Sequence, residues 1–144
     1  MHNKGFTLIE LLIVISIIII FGSVSAPSYF RFQQGNNLQV AFESINNSFN
    51  NAKTKARSVQ QDSVWGVKIT NTDATVFLGN SYAGRNTSFD EKVSFPGGIN
   101  YSGPAEIIFN KLTGYPVVSS TITLTNNLNE TKIFSLNERG GVTY

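Results

Sequence analysis

Glu10 is the one ionisable side chain in the run from Leu8 to Ala26, LIELLIVISIIIIFGSVSA. In hydrocarbon a carboxylate costs roughly 2.5 to 3.5 kcal/mol on insertion scales, taking aspartate as proxy, so it calls for a cation to meet it. The plainer alternative is an acid that snorkels to the cytoplasmic edge of a membrane or faces a lumen. Other chemistry is sparse. His2, the only histidine, sits beside Met1, and there is no cysteine. That excludes a Ser/His/Asp or Cys/His nucleophile, a thiolate metal site and a disulfide framework. Asp90-Glu91 and Asn71-Thr72-Asp73 offer oxygen ligands but lack the spacing of a calcium loop, and turn capping accounts for both. The segment from Gly79 to Arg85, GNSYAGR, lacks the Lys-Ser/Thr of a phosphate loop. No enzyme, metal or cofactor is expected.

Charge says little about a polyanionic partner. Over 144 residues, 11 Lys and Arg stand against 9 Asp and Glu, a formal net charge of +2, and no run of five basic residues occurs. The charged fraction is 14%, against about 25% for soluble domains. Asn, Ser, Thr and Gly make up the polar share, which suits an exported or assembled protein.

The element that positions Glu10 is the apolar block itself. From Phe6 to Ala26, a helix rising about 1.5 Å per residue spans on the order of 30 Å, enough to cross a bilayer once. Lys4 before the block favours a cytoplasmic N-terminus, placing everything after Pro27 outside. A cleaved secretory signal is the competing reading, with Val24-Ser25-Ala26 as its small-residue site. Glu10 inside the block and Pro27 just past the cut argue against it.

Beyond Pro27, which should kink the helix or open a hinge, helical periodicity runs from Ser28 to about Val59. Its apolar stripe is Leu38, Phe42, Ile45, Phe49, Ala52, Ala56 and Val59, with Asn47, Asn50, Lys53, Lys55 and Arg57 opposite. Gly35 and Asn36-Asn37 weaken its continuity. After Gln60 come short β-like runs: Val64–Thr70, Thr75–Leu78, Lys92–Phe95, Glu106–Asn110, Val117–Thr125 and Thr131–Leu136. Thr121 to Thr125 alternates threonine with Ile122 and Leu124, as a sheet with one buried face requires. Asn126 to Asn129 should close a hairpin. The expected fold is α+β: a long N-terminal helix, transmembrane over 6–26 and amphipathic over 27–60, packed on a small antiparallel β-sheet domain at 61–144. That β part is small for an independent core, so the helix stripe should complete it, as should Trp65 facing inward. Tyr82, Phe89, Tyr101 and Tyr115, in turn-rich stretches, are read as cover for sheet edges rather than as partner anchors.

Lys4-Gly5-Phe6-Thr7-Leu8-Ile9-Glu10-Leu11-Leu12 resembles the class III signal of type IV pilins and type II secretion pseudopilins. The resemblance implies a leader at 1–5, cut by prepilin peptidase between Gly5 and Phe6, with N-methylation of Phe6. It makes Glu10 the assembly carboxylate and Pro27 the helix-breaking proline. It implies other pilin or pseudopilin subunits and an inner-membrane assembly platform as partners. The expected location is single-pass in the cytoplasmic membrane, with the C-terminal domain outside, and then in an extracytoplasmic filament. Cutting after Gly5 removes Lys4, leaving 10 basic residues against 9 acids.

Less specifically, Ile107 to Gly114, the threonine-rich Ser120–Thr125, Thr131–Leu136 and Arg139-Gly140-Gly141-Val142 resemble the order of strands in GspH/FimT-like minor pseudopilins. Some FimT-like pilins bind DNA through a basic C-terminal segment, which would make Arg139, Lys132 and Lys111 the contacts here. Arg139 stands beside Glu138, and Lys132, Lys111, Arg85 and Lys92 are scattered, so DNA is the disfavoured alternative.

Overall fold

The structure, a computed structural model, describes residues 5–143, with the backbone alone at 24–27 and 142–143. Met1 to Lys4, most of the expected leader, lie outside the described residues. One long helix, α1 (Leu8–Arg57), is followed by a 3-10 turn at Gln60–Asp62 and eight strands. These are β1 (Trp65–Ile69), β2 (Asp73–Leu78), β3 (Asn86–Ser94), β4 (Ile99–Ser102), β5 (Glu106–Phe109), β6 (Ser120–Asn126), β7 (Thr131–Leu136) and β8 (Val142–Thr143). The chain divides into two compact units, Met1–Gln33 and Gln34–Tyr144, and α1 contributes to both. The α+β class, a long helix packed with a small antiparallel β domain, is the one the chain adopts.

Gly35, Asn36 and Asn37 do not interrupt α1. Pro27 lies within its bounds, but the side chain, and the expected kink with it, falls outside the description. In the second unit the helical stripe is the core face: Leu38, Ile45, Phe49, Ala52 and Ala56 are buried and Phe42 packs partly buried against them. Ala41 and Ser48 join that face, and the Ser48 hydroxyl donates to Ser44 O at 2.8 Å, which satisfies it within the helix. Val59 does not belong to the stripe. Its φ of 55° puts it in the left-handed region just past the helix end. The terminal carbonyl of Ala56 accepts both the Val59 N–H at 3.2 Å and, from across the fold, the Leu112 N–H at 3.1 Å. Lys55 and Arg57 suit the negative end of the helix dipole.

The strands form two antiparallel four-stranded sheets, β3-β2-β1-β5 and β4-β6-β7-β8. Phe49 ties both to the helix, with ring centroids 6.2 Å from Phe109 on β5 and 6.1 Å from Phe134 on β7. Phe42 stacks on Phe134 at 4.0 Å. Trp65 faces inward, and its indole N–H donates to Gln60 O at 3.1 Å. On β6, Ile122 and Leu124 are buried while the threonines face outward. The β6–β7 hairpin closes as expected, Thr125 opposite Thr131, with the buried Asn126 Oδ1 accepting the N–H groups of Leu128 and Glu130, each at 3.0 Å.

Three strand expectations need correcting. Val117 and Val118 are exposed and precede β6, which begins at Ser120. Lys92–Ser94 is only the tail of β3, which starts at Asn86. β4 lies in a stretch where no strand is expected. Both β3 and β4 are edge strands; β3 is held mainly by its neighbour's backbone, while β4 is too short for its alternation of Ile99 and Tyr101 with Asn100 and Ser102 to stand out in the sequence.

Gly66 sits mid-β1, opposite Phe77 on one side and Ile108 on the other. A Cβ there would come within 2.4 Å of Phe77 Cζ and 2.6 Å of Ile108 Cδ1. Phe77 cannot swing away, since Tyr82 covers it edge-on at 5.4 Å and is itself held by Arg85 stacked at 3.6 Å. Gly66→Ala should therefore destabilise by about 1–3 kcal/mol through overpacking, despite the usual gain of Ala over Gly in a strand. A lowered urea midpoint, partly restored when Phe77→Ala is added, is the expected result.

Of the other turn-region aromatics, Phe89 packs edge-on to Trp65 at 6.4 Å, and Tyr115 is exposed. The Tyr101 hydroxyl donates to Pro104 O, and burial pushes its pKa up to about 12 from 10.0. With the folded value raised, this residue's stabilisation is complete below pH 10 and is lost as pH rises toward 12. The chain in detergent should lose stability between those limits, and Tyr101→Phe should flatten that stretch of its urea-midpoint profile.

Candidate functional site

Within the first unit, α1 starts at Leu8, and Thr7 is its cap: Thr7 Oγ1 accepts the Glu10 N–H at 3.3 Å. Thr7-Leu8-Ile9-Glu10 has the capping-box spacing, a signal present in the sequence that the reading of Glu10 as a lone acid passed over. Glu10 lies in the first turn, where the helix dipole favours negative charge. Its side chain is exposed, as are those of Phe6 and of every large apolar residue from Leu8 to Phe21.

The cut expected between Gly5 and Phe6 falls just ahead of the helix. Gly5 has open space around it, and Phe6 is 84% exposed. An unwound, uncovered bond is what a peptidase needs to take up the chain in extended form. Downstream, two hydroxyls of the apolar stretch are satisfied within the helix. Ser16 Oγ donates to Leu12 O and Ser23 Oγ to Ile20 O, each at 2.8 Å. Such bonding suits hydrocarbon, where an unpaired hydroxyl is costly. The helix is long and apolar enough to cross a membrane.

Residues 1–26 match the prokaryotic N-terminal methylation motif. The match supports a type IV pilin-like subunit that is processed by prepilin peptidase and held in a membrane by its apolar N-terminal helix. No curated protein and no solved structure matches the chain significantly.

The second unit distributes its cations among separate partners. Lys111 pairs with Asp62 at 2.5 Å, and Lys132 meets Gln39 Oε1 and lies over the Phe42 ring at 4.9 Å. Arg139 is exposed between β7 and β8, where its N–H donates to Asn137 Oδ1 at 3.0 Å. Arg85 binds Asp90 at 2.8 Å, and Lys92 binds Asp73 at 3.1 Å. Burial raises the Asp73 pKa, but the Lys92 ammonium and the Thr72 and Thr70 hydroxyls outweigh it and hold the carboxyl below its ordinary range. Lys55, lying over Trp65 at 4.4 Å, bonds Glu91, and that bond, outweighing burial and aided by Asn51, holds Glu91 low as well. Among the described residues no three His, Cys, Asp or Glu gather as metal ligands.

Proposed function

We propose that the chain is a minor pilin or pseudopilin, a structural subunit without catalytic activity. Prepilin peptidase cuts it between Gly5 and Phe6 and methylates the new Phe6 amine. The chain then passes from the membrane into a type IV pilus or type II secretion pseudopilus. The observation that carries the reading is Glu10, the only carboxylate in the apolar stretch of α1, inside the matched motif.

The chemistry follows from charge burial. Cutting after Gly5 creates a cationic amine four residues from Glu10, and methylation leaves that charge in place. In a low-dielectric filament core neither charge is tolerated alone. The carboxylate of an incoming subunit neutralises the amine of the one before it and sets the axial register. The exposed Ile and Leu side chains exchange lipid for neighbouring helices. Because this chain keeps its carboxylate, it can follow another subunit and occupy internal positions. The GspH/FimT-like group is supported by the order of β5, the threonine-rich β6, the hairpin to β7, and the short β8 after Gly140-Gly141.

The test is recovery of the chain in filaments sheared from cells. We expect it there with the other pilins when the peptidase is present, and confined to the membrane fraction when it is deleted. Absence from filaments in both strains would refute the reading.

A further inference from the structure

Three aromatic side chains stand just past the apolar block. Tyr29, Phe30 and Phe32 are 68%, 58% and 75% exposed on α1. At about 100° per residue, Tyr29 and Phe32 share one face, while Phe30 and Arg31 point to other sides, so the three rings are spread around the helix with Arg31 between Phe30 and Phe32. Phe6, at the far end of the block, is also exposed. Phe6 and Tyr29 lie 23 positions apart, or about 34 Å along a helix, slightly more than the ~30 Å hydrocarbon layer. The triplet therefore falls where a helix that starts at the cytoplasmic face would leave the acyl chains.

We infer that Tyr29, Phe30 and Phe32 form a collar that seats in the lipid headgroup layer on the outer face of the membrane and fixes the depth of the helix before assembly. A tyrosine, with an apolar ring and a polar tip, prefers that layer, and phenylalanine rings beside it bury at the boundary between headgroups and acyl chains. Arg31 between them supplies a cation for lipid phosphates. Continuity with the spanning block and this charge favour lipid as the occupant over a neighbouring subunit. Functionally, the collar would hold Glu10 and the Gly5–Phe6 bond at a constant height for the peptidase. The inference rests on the membrane-anchored state in the proposed function and not on the filament.

The chain has no native cysteine, so single sites can be labelled. The full-length protein carrying Ser28→Cys or Ser16→Cys is coupled to an environment-sensitive fluorophore. It is then reconstituted in vesicles of phosphatidylethanolamine and phosphatidylglycerol at 3:1, with quenchers placed at shallow or deep positions on the acyl chains. The label at position 28 should be quenched best by the shallow probe and that at 16 by the deep one. Changing all three aromatics to alanine should lower shallow quenching at 28 about twofold and shift its emission to the red. Changing them to tryptophan should preserve the depth, and changing them to leucine should draw the label deeper. A label at 28 that stays at one depth in the alanine, tryptophan and leucine variants, with 16 still deep, would overturn the collar, leave the span standing, and assign the aromatics to subunit contacts. A label at 16 untouched by the deep probe would overturn the anchored state, and the collar with it.

Discussion

Replacing Glu10 with glutamine should leave the chain inserted and cut between Gly5 and Phe6, but lower its recovery in filaments about a hundredfold. The magnitude, taken at the lower end, comes from leaving one member of a buried charge pair alone, which costs roughly 3–5 kcal/mol, or about two to three and a half orders of magnitude in an equilibrium. Glutamine separates the assembly role proposed for this position from a local one in the first turn of α1. Thr7 Oγ1 accepts the backbone N–H of Glu10, a bond that any residue here but proline can make, so only a return bond from the side chain to the Thr7 N–H would give the carboxylate itself a capping role. Glutamine serves in a capping box nearly as well as glutamate, and the exposed cap is worth only about 0.5–1 kcal/mol. If capping were the whole role, Glu10→Gln would assemble like the wild type. If charge neutralisation is the role, Gln and Leu fail alike and Asp recovers part of the loss. Immunoblots of sheared and membrane fractions read the difference, and mass spectrometry of the membrane fraction confirms that processing is intact.

The second large effect is expected in the head. Phe49→Ala should cost about 3–5 kcal/mol, a large part of the 5–15 kcal/mol that holds a domain of this size together. Phe49 is 2% exposed and is the helical side chain whose ring meets Phe109 of one sheet and Phe134 of the other. Truncation leaves a cavity where helix and both sheets converge, and none of the three can close it without pulling away from another. Phe49→Leu, which keeps most of the volume, should cost about half as much. Urea unfolding of the full chain in detergent measures both, and a midpoint for Phe49→Ala within error of wild type would contradict this account of the core.

The helix stripe was legible because its steps of three and four residues run from Leu38 to Ala56 on one face and need no knowledge of the partner. β6 was legible through the alternation of threonine with Ile122 and Leu124. By contrast, β3 carries Asn86, Thr87, Ser88, Asp90, Glu91 and Lys92, and its strand state comes from pairing with β2 along a partly exposed edge. The division into two sheets was hidden because it depends on β5 returning to β1 while β4 pairs with β6, which are long-range choices. Gly66 looks like any glycine until the register sets it between Phe77 and Ile108. For the candidate site, the apolar block and Glu10 were plain in the sequence. The cap from Thr7 was spelled there too, but became evident only once the helix was seen to begin at Leu8.

The most direct measurement is the intact mass and N-terminal sequence of the protein from cells with and without prepilin peptidase. The account predicts a chain that begins at N-methylated Phe6 when the enzyme is present and retains Met1 to Gly5 when it is absent. A chain beginning at Pro27, or one still carrying Met1 in both strains, would contradict it.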